Sequence, residues 1–310
     1  MQPATPKAAL LFPGLDALFM SSKLQRWLTD EKVCETLREA SGLLSEFTGQ
    51  KEDLAEFIRV NKRLHLADFD RTLVALTALQ VGITRQLEVK WDIAQGCSHG
   101  DVARSVICES LSFRDAIDLL WTFGELRKTC PKGYTANVRT RDGSALTPEQ
   151  LQWLKDSDTP VSLWSDTNAT IGGSVEVLEK IIAQSESRGL KVKPVLQYPV
   201  HSPAMRPSME ELRAKSARWQ LRAPNKPVFS SLWIRYLTTP ADILEEGLAS
   251  AVQEVRWTET LAHLHEKEGV TTFINVGPSN TLTGWLFSSP KFKGVTLLDG
   301  WELLHGPEEA

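Results

Sequence analysis

The chain has 310 residues, 42% hydrophobic and 24% charged, the balance of an ordinary soluble globular protein able to bury a substantial core in one large or two modest domains. A formal net charge of −4 argues against a broad surface for nucleic acid or anionic membrane, so neither is expected as a partner. No apolar run approaches a membrane span, Met1–Lys7 does not read as a signal peptide, and Cys34, Cys97, Cys108 and Cys130 show no zinc or redox spacing; a cytoplasmic protein with reduced thiols is expected.

In chain order, Ala8–Phe12 is a short apolar run closed by Pro13-Gly14, as in a buried strand ending in a turn. Residues 24–60 carry helical spacing, with breaks expected near Ser41-Gly42 and Thr48-Gly49. A helix over 69–87 places Leu73, Leu76, Leu79 and Ile83 on one stripe. A strand is expected over 87–94, then helices over 101–109 and 113–128, the second stopped by Pro131 and Gly133. The character then changes to a strand at 134–139, a helix opened by the capping box Thr147-Pro148-Glu149-Gln150, a strand at 161–164, a helix at 174–187 and a strand at 192–198. That order predicts a small α+β subdomain, 132–198, inserted into a larger α/β body formed by 1–131 and 199–310. The body resumes with a helix from Pro207 to near Trp219, a strand near 227–230, helices over 241–255 and 257–267, and the apolar run Thr271–Val276 closed by Gly277-Pro278. The ten tryptophans read as core and pocket lining.

Within this frame, Gly96-Cys97-Ser98-His99-Gly100 lies between an apolar stretch and a helix-like one. A G-x-S-x-G run in that setting reads as a nucleophile elbow, in which a strand enters, a helix leaves and the Ser98 hydroxyl projects at the crest. The glycines remove the Cβ clashes of so sharp a turn, and the backbone N–H of His99 points where a tetrahedral oxyanion forms. The five-residue pattern alone is a weak signal, because chance matches are common in chains of this size, and a serine hydroxyl also needs a base. Of the six histidines, His263 and His265 read as a solvated helix face beside Glu266 and Lys267, His305 sits in a polar tail, and His65 lies in a basic patch with Lys62 and Arg63. His99 diverges from Ser98 as its chain neighbour. His201 is left, at a strand end bordering the inserted subdomain, where α/β proteins place their chemistry. From the residues alone, a base and a structural histidine are both open there.

Five landmarks carry a family resemblance. Phe12-Pro13-Gly14 is similar to an N-terminal F-P-G-Q-G, Ala78-Leu79-Gln80-Val81 to A-L-Q-V, and Gly96-x-Ser98-x-Gly100-Asp101 to G-H-S-x-G-E. His201-Ser202-Pro203-Ala204-Met205-Arg206-Pro207 is similar to H-S-P-x-M-x-P, and Val276-Gly277-Pro278 with Leu282-Thr283-Gly284 to V-G-P-x-x-x-L-T-G. In this order the chain resembles the malonyl-CoA:acyl-carrier-protein transacylases and the related acyltransferases of polyketide synthesis, over nearly its whole length. The resemblance implies an α/β-hydrolase-like large domain carrying a ferredoxin-like small subdomain. It implies a Ser98–His201 dyad, with His201 held by the backbone carbonyl of Ser250, and an oxyanion hole made by the N–H groups of Leu15 and His99. It also implies ping-pong acyl transfer through a serine ester to the phosphopantetheine arm of an acyl carrier protein, from an acyl-CoA or acyl-carrier donor. No metal, nucleotide or prosthetic group is implied, and a monomer is expected.

The sequence also departs from the resemblance. The malonyl enzymes use an arginine after the elbow to bind the free carboxylate as a bidentate pair. Gapless counting from Ser98 puts Phe123 there, with Arg127 one turn, about 6 Å of helix rise, further on. A malonyl carboxylate facing Phe123 would lose its partner, at a cost of order 3–5 kcal/mol. Leu15 and Leu73 stand where the family has glutamine, Cys97 precedes the nucleophile in place of histidine, and Asp101 follows it in place of glutamate. Trp164-Ser165-Asp166-Thr167-Asn168 replaces an N-S-P-x-Q loop. Phe123, Trp164, Asn168 and Val200 are the expected acyl-pocket residues, and Arg139, Arg141, Lys193 and Arg206 are candidates for a basic rim facing the carrier. The leading expectation is transfer of an uncharged acyl group, acetyl or larger. The alternatives are an acyl-carrier-protein hydrolase and a catalytically silent carrier-binding module.

Overall fold

The computed structural model describes residues 7–15 and 21–306, so the stretch read as lacking a signal peptide lies, up to Pro6, outside the described residues. The first strand, β1 (Lys7–Phe12), is followed by the helices α1 (Ser21–Arg26), α2 (Glu31–Thr48), α3 (Leu54–Val60), α4 (Leu64–Ala67) and α5 (Phe69–Thr84). Strand β2 (Ile93–Gly96) leads into α6 (Gly100–Ile107) and α7 (Phe113–Arg127). Next come β3 (Gly133–Thr140), α8 (Pro148–Asp156), β4 (Val161–Ser165), β5 (Asn168–Ser174), α9 (Val175–Ser185) and β6 (Leu190–Leu196). The chain closes with α10 (Arg206–Lys215), β7 (Val228–Phe229), β8 (Tyr236–Leu237), α11 (Pro240–Ser250), α12 (Trp257–Glu266), β9 (Val270–Asn275), α13 (Thr281–Phe287), β10 (Thr296–Asp299) and α14 (Gly300–His305).

Two sheets organise these elements. The larger has the order β10-β9-β1-β2-β7-β8, parallel except where β7 meets β8, with Phe12 level with Gly96 and Leu10 level with Ile274. Both of its faces are covered, which is why β1 is nearly continuous in apolar residues. Leu10 and Phe12 point into a core with α2 and α5, while Ala9 and Leu11 point into a second core with α12, as the two-residue repeat of a strand requires. The smaller sheet is antiparallel throughout, in the order β4-β5-β3-β6, and its βαββαβ chain order is the ferredoxin-like arrangement. The molecule is thus an α/β-hydrolase-like large domain with a ferredoxin-like small subdomain. Among the described residues, no helix is long and apolar enough to cross a membrane.

Strands β8 and β10 and helices α13 and α14 lie where no element was expected, and three further differences have a visible cause. The helix break at Ser41-Gly42 is absent. Instead the Ser41 hydroxyl donates to the Leu37 carbonyl (2.7 Å) and accepts the Leu54 N–H (3.0 Å), which fastens α3 to α2. The end at Thr48-Gly49 is present, with Gly49 in the left-handed region at φ 69°. Strand β2 starts at Ile93, not at residue 87, because the chain first meets β1 where the Asp92 N–H donates to the Ala8 carbonyl. Strand β5 was not expected from the sequence, since Gly172 and Gly173 dilute its strand signal. The structure requires a glycine there: a Cβ on Gly172 would lie 2.2 Å from the Val200 carbonyl oxygen of the crossing segment.

Candidate active site

Between β2 and α6 the backbone turns through Ser98, which sits in the left-handed region at φ 55°. Such a conformation costs a non-glycine residue roughly 1–3 kcal/mol and survives only where its surroundings impose it. Here the Cys97 N–H donates to the Phe12 carbonyl and the Asp101 N–H to the Ser98 carbonyl, both at 3.0 Å. The flanking glycines are steric necessities. A Cβ on Gly100 would lie 1.9 Å from the Phe12 carbonyl oxygen, and one on Gly96 would lie 2.3 Å from Asp101 Oδ1. Helix α6 therefore starts pressed against the end of β1, with Ser98 at the crest.

His201 enters from the other side, where the chain returns from the small subdomain, and it too has a positive φ, 59°. Its Nε2 lies 3.0 Å from Ser98 Oγ, and its Nδ1 bonds the carbonyl oxygen of Ser250 at the end of α11. A carbonyl only accepts, so Nδ1 carries the proton and Nε2 presents a lone pair to the Ser98 hydroxyl. Burial depresses the imidazole to about 4, partly offset by the Ser250 carbonyl. At neutral pH the ring is uncharged and able to take a proton. The Ser202 N–H, donating to the Ala251 carbonyl (3.2 Å), fixes the segment against the same helix end.

The turn after β1 forms the third side. A Cβ built on Gly14 would stand 3.5 Å from Ser98 Cβ, and Gln80 Nε2 of α5 donates to the Pro13 carbonyl (2.7 Å), holding this turn beside the elbow. A Cβ on Gly277 would strike Pro13 Cγ at 2.2 Å, so the Gly277-Pro278 turn packs on it from the far side. Leu15 and His99 both line the cavity next to Ser98. The His99 ring points away into α5, with Nε2 3.1 Å from Thr77 Oγ1, and burial holds it at about 4. His99 is therefore not a partner for the Ser98 hydroxyl.

Above the pair lies a cavity of about 590 Å³ that extends in two directions. One arm runs over the small sheet, past Trp164, Asn168, Thr170, Thr135 and Asn137, towards the exposed Arg139, Lys191 and Lys193. Trp164 is pinned by its Nε1–H donating to Thr170 Oγ1 (3.0 Å), and its ring stands edge-on to His201 at 6.5 Å. The other arm is apolar and lies among three helices, each presenting one stripe. Helix α7 gives Leu119, Leu120 and Phe123, α10 gives Met209 and Leu212, and α11 gives Leu244 and Leu248. Val200 also lines the cavity.

Several other sequence expectations are decided by partners. Arg127 does not line the cavity: its guanidinium pairs with Asp70 (2.9 Å) and stacks over Phe69 and Tyr198. Of the rim candidates, Arg139 and Lys193 border the cavity, whereas Arg141 is paired with Glu186 (2.7 Å) and neither it nor Arg206 lines it. Lys191 joins the rim through its place on β6, which its position before the expected strand obscured. The histidines read as solvated are half-buried. His263 stacks on Phe229 and His265 Nδ1 bonds the Val270 carbonyl (2.8 Å). His305 is no polar tail, since it packs on Trp301 and meets Asp30 at 3.2 Å. The sequence reading missed Arg104, which lines the cavity yet is fully buried between Asp101 (2.9 Å) and Glu246 (2.7 Å). An arginine on the elbow helix could have been noticed, but nothing local identifies the distant Glu246.

A serine in a strained strand-to-helix turn, a buried neutral histidine against its hydroxyl, and a substrate-sized cavity suit acyl transfer. The family model for the acyl transferase domain matches residues 29–290. The chain belongs to the acyl transferase domain family. This acyltransferase is 28% identical over 292 residues to the malonyl CoA-acyl carrier protein transacylase of Bacillus subtilis strain 168, covering 90% of this chain and 89% of that one. Its fold matches the malonyl CoA-acyl carrier protein transacylase structure from Coxiella burnetii with a TM-score of 0.82 at 22% identity, over 96% of each chain. It also matches the malonyl-transacylase solved in complex with a type II polyketide synthase acyl-carrier protein, with a TM-score of 0.81 at 23% identity, over 97% of this chain and 98% of that one.

Proposed function

We propose that this acyltransferase moves an uncharged acyl group between thioesters, one of them on an acyl carrier protein, through an ester on Ser98. The contact of Ser98 Oγ with His201 Nε2 at 3.0 Å, under an apolar wall that includes Phe123 and not Arg127, carries this reading. Ser98 Oγ attacks the thioester carbonyl carbon as its proton passes to His201 Nε2, and the N–H groups of Leu15 and His99 receive the oxyanion. The C–S bond breaks and the thiolate leaves with the proton from Nε2. An incoming thiol gives its proton to Nε2 and attacks the ester carbonyl. The C–O bond then breaks, the acyl group leaves on sulfur, and Ser98 recovers its proton. The Ser250 carbonyl stabilises the imidazolium that forms in each half, as a carboxylate does in a triad.

The cations available support an uncharged acyl group. Arg127 is held by Asp70, and Arg104 is engaged by two carboxylates. The cations left on the cavity, Arg139, Lys191 and Lys193, lie on the small-subdomain arm, where they suit an acidic carrier and its phosphopantetheine arm. The setting is polyketide or related assembly. The test is acylation of Ser98 by malonyl- and acetyl-pantetheine thioesters, followed by addition of a holo carrier protein and intact-mass analysis. Acetylation exceeding malonylation, with transfer to the carrier, is expected. Preferential malonylation would overturn the choice of acyl group, and release only as free acid would favour a hydrolase.

A further inference from the structure

The cavity does not stop at a space fit for two carbons. From Ser250, whose carbonyl holds His201, the cavity wall follows α11 back through Leu248 and Leu244 to Ile243. Seven residues of helix span about 10 Å. Opposite, α7 lines it from Phe123 back to Leu119. Leu119, Phe123 and Leu244 are only half-buried although they face the space between packed helices, so this arm is a cavity wall and not a filled core. The cavity of about 590 Å³ is shared with the small-sheet arm, so the extent of the helical lining, and not the volume, carries the length of this arm.

We infer that the arm between α7, α10 and α11 is a binding subsite for an unbranched, apolar acyl chain of about eight carbons, an inference that rests on the proposed transfer of an uncharged acyl group through Ser98. The length follows from the span along α11, since an extended chain with C–C bonds near 1.5 Å advances about 1.3 Å per carbon. With its carbonyl carbon at Ser98, such a chain has its methyl end level with Leu244 and Ile243. The thioester's pantetheine arm leaves over the small sheet, so the two halves of the substrate occupy the two arms. The occupant is apolar because Leu119, Leu120, Phe123, Met209, Leu212 and Leu248 offer it no hydrogen-bonding groups, and Arg104, the one cation lining this arm among the described residues, is already paired.

Pantetheine thioesters of two, four, six, eight, ten and twelve carbons, with malonyl-pantetheine as a separate arm, test this by the rate of Ser98 acylation in intact protein. The expected result is a rise in kcat/KM of roughly fourfold per added methylene, levelling at about eight carbons and falling by twelve. Leu244→Trp and Leu119→Trp, which narrow the arm from two different helices, should shift the preferred length to four carbons or fewer. The unaltered protein's series decides the matter even where a variant fails to fold. A maximum at acetyl overturns the subsite but leaves uncharged acyl transfer standing. A maximum at malonyl, or no acylation by any thioester, overturns the reading beneath it as well.

Discussion

Arg104 Nη2 lies 2.7 Å from Glu246 Oε2, and both side chains are shut off from solvent. Arg104 stands on α6, whose first turn follows Ser98, while Glu246 precedes Ser250 by one turn of α11 and so shares its face. The pair therefore ties the helix behind the serine to the helix whose carbonyl orients His201. Asp101 also stands against Arg104 at 2.9 Å, and burial pushes its carboxyl up. Removing one member strands a buried charge. Glu246→Ala should cost roughly 3–5 kcal/mol in urea unfolding, and the paired replacement Arg104→Met with Glu246→Leu should recover much of it. Single and double variants of equal stability would contradict the linkage.

Ser98→Ala should remove acyl-enzyme formation while leaving carrier binding intact, measured by intact mass and by titration of a holo carrier. His201→Ala should lower kcat/KM by three orders of magnitude or so, because the hydroxyl keeps its place but loses its base. Equal turnover in either variant would remove Ser98 and His201 from the mechanism.

The acid limb of the pH profile should lie unusually low. As the proposed base, His201 would act only with Nε2 unprotonated, and burial depresses it to about 4. Acylation should therefore hold level from pH 7 to near 5 and fall as the pH drops through about 4. A limb near 6.5, the ordinary histidine value, would show that the ring is more solvated than its 6% exposure implies.

Phe123→Arg should raise malonyl use relative to acetyl by about a hundredfold or more, since a guanidinium there would pair a carboxylate that otherwise loses its partner. Arg127→Ala, by contrast, should leave the malonyl-to-acetyl ratio unchanged, because Arg127 is occupied by Asp70 outside the cavity. Competition assays with mixed thioesters read both ratios directly.

Gly100→Ala should prevent folding of the elbow, and soluble yield and Ser98 acylation should fall together. The added methyl would meet a backbone oxygen, Phe12's, at 1.9 Å, and a backbone atom cannot rotate away as a side chain can. Gly42→Ala offers the control, because nothing stands within 4 Å of its Cβ, it lies in α2 and does not line the cavity, and an alanine favours the helix.

Local chemistry made much of this molecule legible in its sequence. The apolar run of β1, the capping box that opens α8, the glycine that ends α2 and the glycines around Ser98 each act within a few residues, where sterics and backbone hydrogen bonds leave few choices. The five motifs in order marked the family. Helix-period counting failed at Ser41, whose hydroxyl had a tertiary partner, and the glycines of β5 hid a strand that a crossing segment requires.

The amino-acid order by itself determined where a serine could be forced to the crest of a turn, and gapless counting from Ser98 puts Phe123 where the family resemblance leads one to expect an arginine. Only the tertiary structure decided which histidine meets it, that Gln80 and Gly277 brace the turn before Leu15, that Arg127 belongs to Asp70, and that Arg104 finds Glu246 across 142 residues. The apolar arm is of the same kind. Its walls come from three helices distant in sequence, and a space between elements is not a property of any one of them. Bond geometry and sterics act along the chain, whereas ion pairs and cavities form only once distant segments are packed together.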